Sequence, residues 1–277
     1  GKTGDGAGIH VQIPVPFFYD QIERTGHTPR MNELMAVGQV FLPRTDFGAQ
    51  ETCRTIVETE VLRMGYYIYG WRHVPVNVSC LGEKANATRP EIEQLLVSNS
   101  KGVDEETFER ELYVIRRRIE KAAQSAGIHG LYLASLSCRS IIYKGMFLAE
   151  DMSEFYPDLK DERFESAFAL YHQRYSTNTF PQWWLAQPFR MLAHNGEINT
   201  LKGNTNWMKS HEIRMSSDAF GLFEESDMND KTKMNELGMK FRNTVLSLGG
   251  GTPPSDVFKS FRGREPQVDA LLRHNGL

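Results

Sequence analysis

Residues 171–209 read YHQRYSTNTFPQWWLAQPFRMLAHNGEINTLKGNTNWMK, and the rest of the chain reads as the scaffold that holds this stretch. Two short polar runs, HQRYSTNT at 172–179 and HNGEIN at 194–199, are separated by a bridge rich in aromatic residues and proline. Pro181 and Pro188 prevent this bridge from forming one long helix, because proline interrupts helical hydrogen bonding and restricts the residue before it. The candidate chemistry of the chain is concentrated in the two polar runs.

The first run carries a candidate ligand-binding arginine. Arg174 stands beside small hydroxyl and amide side chains, among them Thr177 and Asn178. Its guanidinium offers a planar fork of donors to a carboxylate, and its neighbours supply further hydrogen-bonding groups. This combination suits an amino-acid ligand.

The second run carries a candidate pair of hydrogen-bond donors. Asn195 has a side-chain amide, and Gly196 presents a backbone N–H that no Cβ obstructs. Two such donors can stabilise a developing oxyanion. The alternative interpretation is a surface turn between strands, because Asn-Gly is among the commonest turn dipeptides.

The two runs together resemble a known family. QRYSTNTFPQW at 173–183 and AHNGEINTLKGNTNWM at 193–208 are similar to the class-II, N-terminal-nucleophile glutamine amidotransferase domain that opens the large subunit of glutamate synthase. The similarity extends upstream through GKTGDGAGI at 1–9, YYIYGWRHVPV at 66–76 and SLSCRSIIYKGMFLAEDM at 135–152.

The resemblance implies roles for the candidate residues. Arg174 would clamp the α-carboxylate of glutamine, with Thr177 and Asn178 beside it in the pocket wall. Asn195 and Gly196 would form the oxyanion hole. In this family the attacking group is the thiol of a cysteine at the mature N-terminus, and its own α-amino group serves as the base.

The resemblance also implies a fold and a larger enzyme. The expected fold is α+β, a four-layer αββα sandwich over residues 1–222, without the N-terminal cysteine segment and the last part of the family's domain. The parent enzyme would transfer ammonia reductively to 2-oxoglutarate. Its FMN and iron–sulfur cluster would bind outside this chain, and its partners would be the rest of the large subunit and a small subunit or other electron donor.

The cysteines decide what is expected of catalysis. The sequence begins at Gly1, and its cysteines, Cys53, Cys80 and Cys138, match no motif of the family. All three are interpreted as buried or half-buried structural thiols. The chain is therefore expected to lack glutaminase activity as it stands, and the alternative is a non-catalytic fragment that binds glutamine or glutamate weakly. Asp218, in Ser-Asp-Ala, comes too early to be assigned the family's contact to the glutamine α-amino group.

The last fifth of the chain resembles a different family. Residues 223–277, with GMKFRNTVL, VFKSFRGREP and the terminal LLRHNGL, are similar to the C-terminal end of thimet-type zinc oligopeptidases. Zinc peptidases of this kind need H-E-x-x-H on one helix. His211-Glu212 is followed by Met215 where the second histidine would stand, so no metal site is predicted. A fusion product is the alternative to a natural enzyme.

Composition narrows the functional class. The 277 residues are 40% hydrophobic and carry a net charge of −3, which predicts a globular protein and gives no field that would attract nucleic acid or acidic lipid. Three cysteines, no leader and no apolar run of membrane length predict a reducing compartment, by default the cytoplasm.

Local patterns predict the secondary structure. Strands are expected at 9–13, 35–42, 66–76, 131–137, 140–147 and 165–171, and helices at 17–24, 47–64, 104–125 and 197–215. Residues 92–97 fit a strand or a helix. Residues 131–137 and 140–147 are expected to form a central hairpin turned at Cys138-Arg139, and the last helix is expected to break near Gly203.

Overall fold

The computed structural model describes residues 6–175, 180–190 and 201–212, together with the single positions Asn243, Asp256, Val257, Lys259 and Ser260. The chain divides into two compact units, Gly1–Glu197 and Ile198–Leu277. In the second unit the described element is one helix, Leu201–Glu212. The domain boundary predicted near residue 222 lies outside the described residues and stays a prediction.

The first unit contains two antiparallel sheets and two long helices. Its strands are β1 Ala7–Gln12, β2 Met35–Leu42, β3 Tyr67–His73, β4 Glu91–Ser98, β5 Tyr132–Ser137, β6 Ser140–Gly145 and β7 Ala169–His172. Its helices are α1 Val15–Arg24, α2 Phe47–Arg63, α3 Glu83–Ala87, α4 Glu105–Ser125 and α5 Met152–Phe155, and the helix of the second unit is α6. Short 3₁₀ turns occur at Val78–Cys80, Ala149–Asp151, Pro157–Lys160 and Trp183–Leu185.

The order of the strands produces three layers. One sheet has the order β3-β4-β2-β5 and the other the order β6-β1-β7. Along β2, Ala36 and Val40 belong to a core shared with α2 and α4, whereas Val37 and Phe41 belong to a core shared with β1 and β6. Because successive strand residues face opposite sides, β2 is covered by helices on one face and by the second sheet on the other. The α+β prediction is confirmed, and the described layers are helices, sheet and sheet.

The two long helices begin where the sequence predicts. Asp46 accepts a hydrogen bond from the backbone N–H of Ala49, and Asp104 accepts one from Thr107, each at 2.9 Å. Each carboxylate therefore satisfies one of the unpaired N–H groups in a first helical turn. None of the helices in the described part of the chain is both long and apolar enough to cross a membrane.

The predicted hairpin of β5 and β6 is wrong. β5 pairs with β2 at the edge of the four-stranded sheet, and β6 pairs with β1 at the edge of the other sheet. The chain therefore passes from one sheet to the other at Cys138-Arg139, and neither strand is central. Two adjacent apolar runs carry the same pattern whether they pair with each other or with distant strands, so the pattern could not separate the two arrangements.

The structure decides one alternative that the sequence left open and corrects one further expectation. Residues 92–97 lie in strand β4, whose residues are almost all buried. The helix break expected near Gly203 is wrong, because α6 continues without interruption from Leu201 to Glu212. Glycine costs a helix about 1 kcal/mol relative to alanine but removes no hydrogen bond, so a helix tolerates it.

A buried polar network ties the sheets together. Arg72 on β3 forms a two-point ion pair with Asp158, with N–O distances of 2.6 and 2.8 Å. Tyr143 on β6 donates to Asp158 at 2.9 Å and accepts from the side-chain amide of Gln94 on β4 at 2.8 Å. The same amide reaches Gln39 on β2 at 2.8 Å. Every charge in this network is paired, as burial requires.

Candidate functional site

Arg174 lies just beyond the end of β7. The strand is fixed to β1 by antiparallel pairing, with His172 opposite Gly8. The Arg174 side chain is exposed, and it forms no hydrogen bond or ion pair with the described residues. A guanidinium held beside a sheet edge without an acidic partner is free to receive a carboxylate from a ligand.

Tyr175 fixes the backbone that carries Arg174. Its hydroxyl donates to the backbone carbonyl of Gln182 and accepts from the Gln182 N–H at 3.2 Å. Its ring lies so close to Gly6 that a Cβ at this glycine would overlap it. Gly6 also has φ +63°, a conformation that favours glycine. The start of β1 and the residues after β7 are therefore packed against each other.

The bridge between the polar runs packs on the same region. A Cβ on Gly8 would overlap the carbonyl oxygen of Gln187 and lie 2.7 Å from the Cβ of Lys144. The bond between Gln187 and Pro188 is cis. Only glycine permits this close approach of the bridge to β1.

Arg190 closes the bridge with a largely buried ion pair. Its guanidinium donates to the carboxylate of Glu109 on α4, and the two side chains are 9% and 14% exposed. Glu109 also accepts from the Ser137 hydroxyl at 2.8 Å and the Cys138 backbone N–H at 2.9 Å. Burial alone would raise the pKa of Glu109, but the Cys138 N–H, the Arg190 charge and the Ser137 hydroxyl hold it below its ordinary value.

Lys144 is a buried cation next to the bridge. It lies on β6 and is fully buried, and its Nζ donates to the Tyr132 hydroxyl and to the Trp184 carbonyl, each at 2.9 Å. Nζ also lies 4.4 Å from the centre of the Phe189 ring. Burial, with a smaller contribution from the positive charge of Arg116, lowers the pKa of Lys144 to about 7.

The three thiols are unsuited to nucleophilic attack. Cys53 is fully buried on α2, and burial raises its pKa to about 11. Cys138 donates to Glu109 at 3.2 Å, and burial together with that negative charge raises its pKa well above the ordinary value. Cys80 is buried and donates to the Asn77 carbonyl at 3.2 Å. A reactive thiol needs a lowered pKa, which Cys53 and Cys138 lack.

The remaining residues predicted for the site lie outside the described part of the chain. Thr177 and Asn178 fall in residues 176–179, and Asn195 and Gly196 fall in residues 191–200. Their assigned roles stay predictions. Asp218 and most of the tail after residue 222 are likewise not described.

Three polar residues that sequence patterns did not single out also lie in this region. Lys144 carried a signal, since it is the one charged residue in the apolar run SIIYKGMF. Glu109 carried none, because it resembles the other acidic residues of α4. His172 lies in the first polar run, and its Nδ1 is buried without a hydrogen-bond partner.

Within the described residues, one group has the geometry of a metal site. His73, Glu91 and Glu93 place one ligand atom each within 4.8 Å of one another. Arg54 already binds both carboxylate oxygens of Glu93, at 2.6 and 2.9 Å. This guanidinium opposes a second cation at the same carboxylate, so no metal is assigned to this group.

The chain matches two family models, one for each resemblance seen in its sequence. Residues 1–236 match the family model of class-II glutamine amidotransferases. Residues 209–277 match the model of peptidase family M3, so the two matches overlap from 209 to 236.

Individual relatives agree with the first match. The chain is 70% identical over 221 residues to the glutamate synthase (NADPH) large chain of Azospirillum brasilense, which covers 80% of this chain and 14% of the relative. It is 44% identical over 224 residues to the glutamate synthase (NADPH) large chain of Bacillus subtilis, covering 79% and 14%. It is 39% identical over 256 residues to the ferredoxin-dependent glutamate synthase of Pyropia yezoensis, covering 91% and 16%. The chain thus spans about one-sixth or less of the length of these relatives.

Proposed function

We propose that this chain, which belongs to the class-II glutamine amidotransferases, is the glutamine-binding module of a glutamate synthase large chain. Arg174 carries the proposal. Its exposed guanidinium lies two residues beyond β7 without an acidic partner among the described residues, and its backbone is held by Tyr175 against Gly6. A planar guanidinium binds the α-carboxylate of an amino acid through two parallel hydrogen bonds.

The other predicted residues complete the pocket in this proposal. Thr177 and Asn178 contact the amino-acid end of glutamine beside Arg174. Asn195 and Gly196 donate to the oxygen of the side-chain amide when a thiolate attacks its carbon. The carbon–nitrogen bond then breaks, ammonia leaves with a proton from the general acid, and water hydrolyses the thioester to glutamate.

The thiol that attacks is not one of the three cysteines present. Cys53 and Cys138 hold their protons at neutral pH, and Cys80 is buried. The proposal therefore assigns the attack to the N-terminal cysteine that the family uses, within the parent enzyme. The contribution of the residues present is to bind glutamine, orient its amide and stabilise the oxyanion.

The parent enzyme supplies the remaining steps. In this proposal ammonia passes to 2-oxoglutarate, and FMN and an iron–sulfur cluster deliver the electrons, with a small subunit or other donor as partner and the cytoplasm as the compartment. The described cysteines do not fit a cluster, because no group of neighbouring cysteines occurs among the described residues. No step is assigned to these cofactors within this chain.

The proposed fold is the full αββα sandwich, in which a fourth, helical layer would cover the second sheet.

The tail supports a second, structural role. The match of residues 209–277 to peptidase family M3 favours a segment of peptidase origin without peptidase activity. His211 and Glu212 end helix α6, but Met215 stands where the second histidine of a zinc motif would be. The chain in this alternative is a fusion or fragment whose amidotransferase part retains only ligand binding.

Calorimetric titration of glutamate tests the proposal. The unaltered chain should bind glutamate, and Arg174→Ala should weaken binding by about 10- to 100-fold, since a hydrogen-bonded charge contact is worth about 1.5–3 kcal/mol. Arg117→Ala is the matched control, because Arg117 is an exposed arginine on α4 paired with Glu120. Equal losses in the two variants, or no loss in Arg174→Ala, would refute the role of Arg174.

A further inference from the structure

A second pocket lies away from Arg174 and is lined by two arginines and four aromatic residues. It has a volume of about 320 Å³ and is bordered by Arg44, Arg89, Tyr132, Trp183 and Trp184. Most of its wall is apolar, and the lining is completed by Phe41, Leu42, Pro43, Thr88, Pro90, Gly130 and Leu131. The pocket combines a flat hydrophobic wall with positive charge, which is the composition of a site for an organic ligand.

The two arginines have no acidic partner within ion-pair distance among the described residues. Arg44 donates to the Ala87 carbonyl at 3.4 Å, and Arg89 donates to the Pro90 carbonyl at 3.5 Å. Both distances are long for hydrogen bonds. The Nε of Arg89 is buried and has no hydrogen-bond partner. By contrast, the largely buried Arg72 and Arg190 each bind a carboxylate.

The pocket has an excess of positive charge. Burial and the neighbouring charge of Arg44 lower the pKa of Arg89, and Glu91 offsets this only in part. Two positive charges that repel each other in a partly dry pocket are stabilised when an anion enters.

Lys144 lies next to the pocket and contacts two of its lining residues. Its Nζ donates to the hydroxyl of Tyr132 and to the backbone carbonyl of Trp184, so it holds the Tyr132 ring and the backbone at Trp184. The lysine is fully buried, and both of these acceptors are neutral oxygens. A fixed wall lets a flat ligand bind with little loss of side-chain entropy.

We propose that this pocket binds a small organic carboxylate, whose charged head meets Arg44 and Arg89 and whose flat apolar body lies against Tyr132 and Trp184. A carboxylate matches the planar fork of a guanidinium, whereas a neutral amide of the same shape leaves the arginines unpaired. The aromatic wall favours a flat body over a bare inorganic anion. The proposal uses none of the residues assigned to glutamine.

Titration of benzoate into the full chain, against benzamide as its neutral counterpart, tests the proposal. Binding is followed by calorimetry and by the tryptophan fluorescence of the chain. Benzoate should bind at least about 10-fold more tightly than benzamide, because only benzoate pairs with the guanidinium groups. Arg89→Gln and Arg44→Gln should each weaken benzoate binding by about 10-fold or more.

Three controls distinguish this pocket from the proposed glutamine site and from a nonspecific attraction between benzoate and surface arginines. Arg117→Gln, at an exposed arginine paired with Glu120, should leave benzoate binding unchanged. Arg174→Ala should also leave it unchanged, because Arg174 does not line the pocket. Inorganic phosphate should bind more weakly than benzoate, because it cannot use the aromatic wall.

Several results would overturn the proposal. Equal affinity for benzoate and benzamide would remove the role of the arginines, and this comparison needs no variant. Loss of benzoate binding in Arg174→Ala would move the site to the glutamine pocket. Phosphate binding as tight as benzoate binding would contradict the aromatic contribution. If Arg89→Gln fails to fold by circular dichroism, Arg44→Gln and the benzamide comparison decide the outcome.

Discussion

Arg190 and Glu109 form an ion pair across 81 positions of sequence, and they join the bridge between the two polar runs to the middle of α4. Arg190 directly precedes residues 191–200, which include Asn195 and Gly196. The chain is thus held at Arg190 by a largely buried charge pair, four residues before the predicted oxyanion run begins.

Glu109→Gln should destabilise the protein by about 3–5 kcal/mol, because the substitution leaves the charge of Arg190 largely buried and unpaired. Urea unfolding at neutral pH measures the loss. Glu154→Gln is the control, since Glu154 and Lys160 are each about half exposed and such a pair contributes about 1 kcal/mol at most. Because the folded pKa of Glu109 is low, its contribution is present above the ordinary value of 4.5. The difference between Glu109→Gln and the unaltered chain should shrink as the pH falls through the folded pKa, and a difference independent of pH would contradict the assignment.

Lys144→Met should change how stability depends on pH. The folded pKa of Lys144 is about 7 against an ordinary 10.5, so the unfolded chain binds more protons between these values. Stability of the unaltered chain should therefore rise with pH over this window, relative to Lys144→Met, by an amount on the order of 5 kcal/mol. Unfolding free energies from pH 6.5 to 10 give the difference curve. Lys160→Met, at a half-exposed lysine, is the control for replacing a lysine by methionine.

Gly6→Ala should weaken glutamate binding, because the added Cβ overlaps the Tyr175 ring that holds the backbone of Arg174. Gly26→Ala is a matched control, since Gly26 also has positive φ (+84°) but has no atom within 4 Å of an added Cβ. Gly26→Ala should cost about 1 kcal/mol of stability with no change in affinity. Calorimetric titration of glutamate compares the affinities of Gly6→Ala and Gly26→Ala. Equal affinities in the two variants would contradict a role for the Tyr175 contact in binding.

Arg174→Lys should weaken glutamate binding almost as much as Arg174→Ala, because lysine keeps the charge but loses the planar fork. Asn195→Ala should leave glutamate binding nearly unchanged, since the oxyanion that it serves exists only during reaction. Titration of glutamate into the three variants measures both effects. Equal losses in Asn195→Ala and Arg174→Ala would remove the grounds for giving these residues different roles.

Ammonia release from glutamine should not exceed the buffer blank for these 277 residues, because Cys53 and Cys138 are protonated at neutral pH and Cys80 is buried. A coupled ammonia assay measures the rate. Turnover that disappears on Cys138→Ser or Cys80→Ser would show that an internal thiol is the nucleophile after all.

Local sequence determined most of the secondary structure. Helix α4 begins at the acidic cap Asp104, and α2 begins at Asp46, because a carboxylate pairs with N–H groups only three residues away. The eight residues of β2 were predictable from their apolar and β-branched character alone. The polar runs that contain Arg174 and Asn195 were also visible as motifs, since residue type and spacing carry that signal without any fold.

Only the tertiary structure decided which distant residues meet. The apolar pattern of a strand shows that a residue is buried but not which strand lies beside it. The pattern therefore could not predict that β5 and β6 lie in different sheets. The burial of Lys144, its contacts with Tyr132 and Trp184, and the pair of Glu109 with Arg190 all join segments far apart in sequence. Such contacts depend on how whole layers pack, and the free energy of a buried charge is set by those neighbours rather than by the residues next to it in the chain.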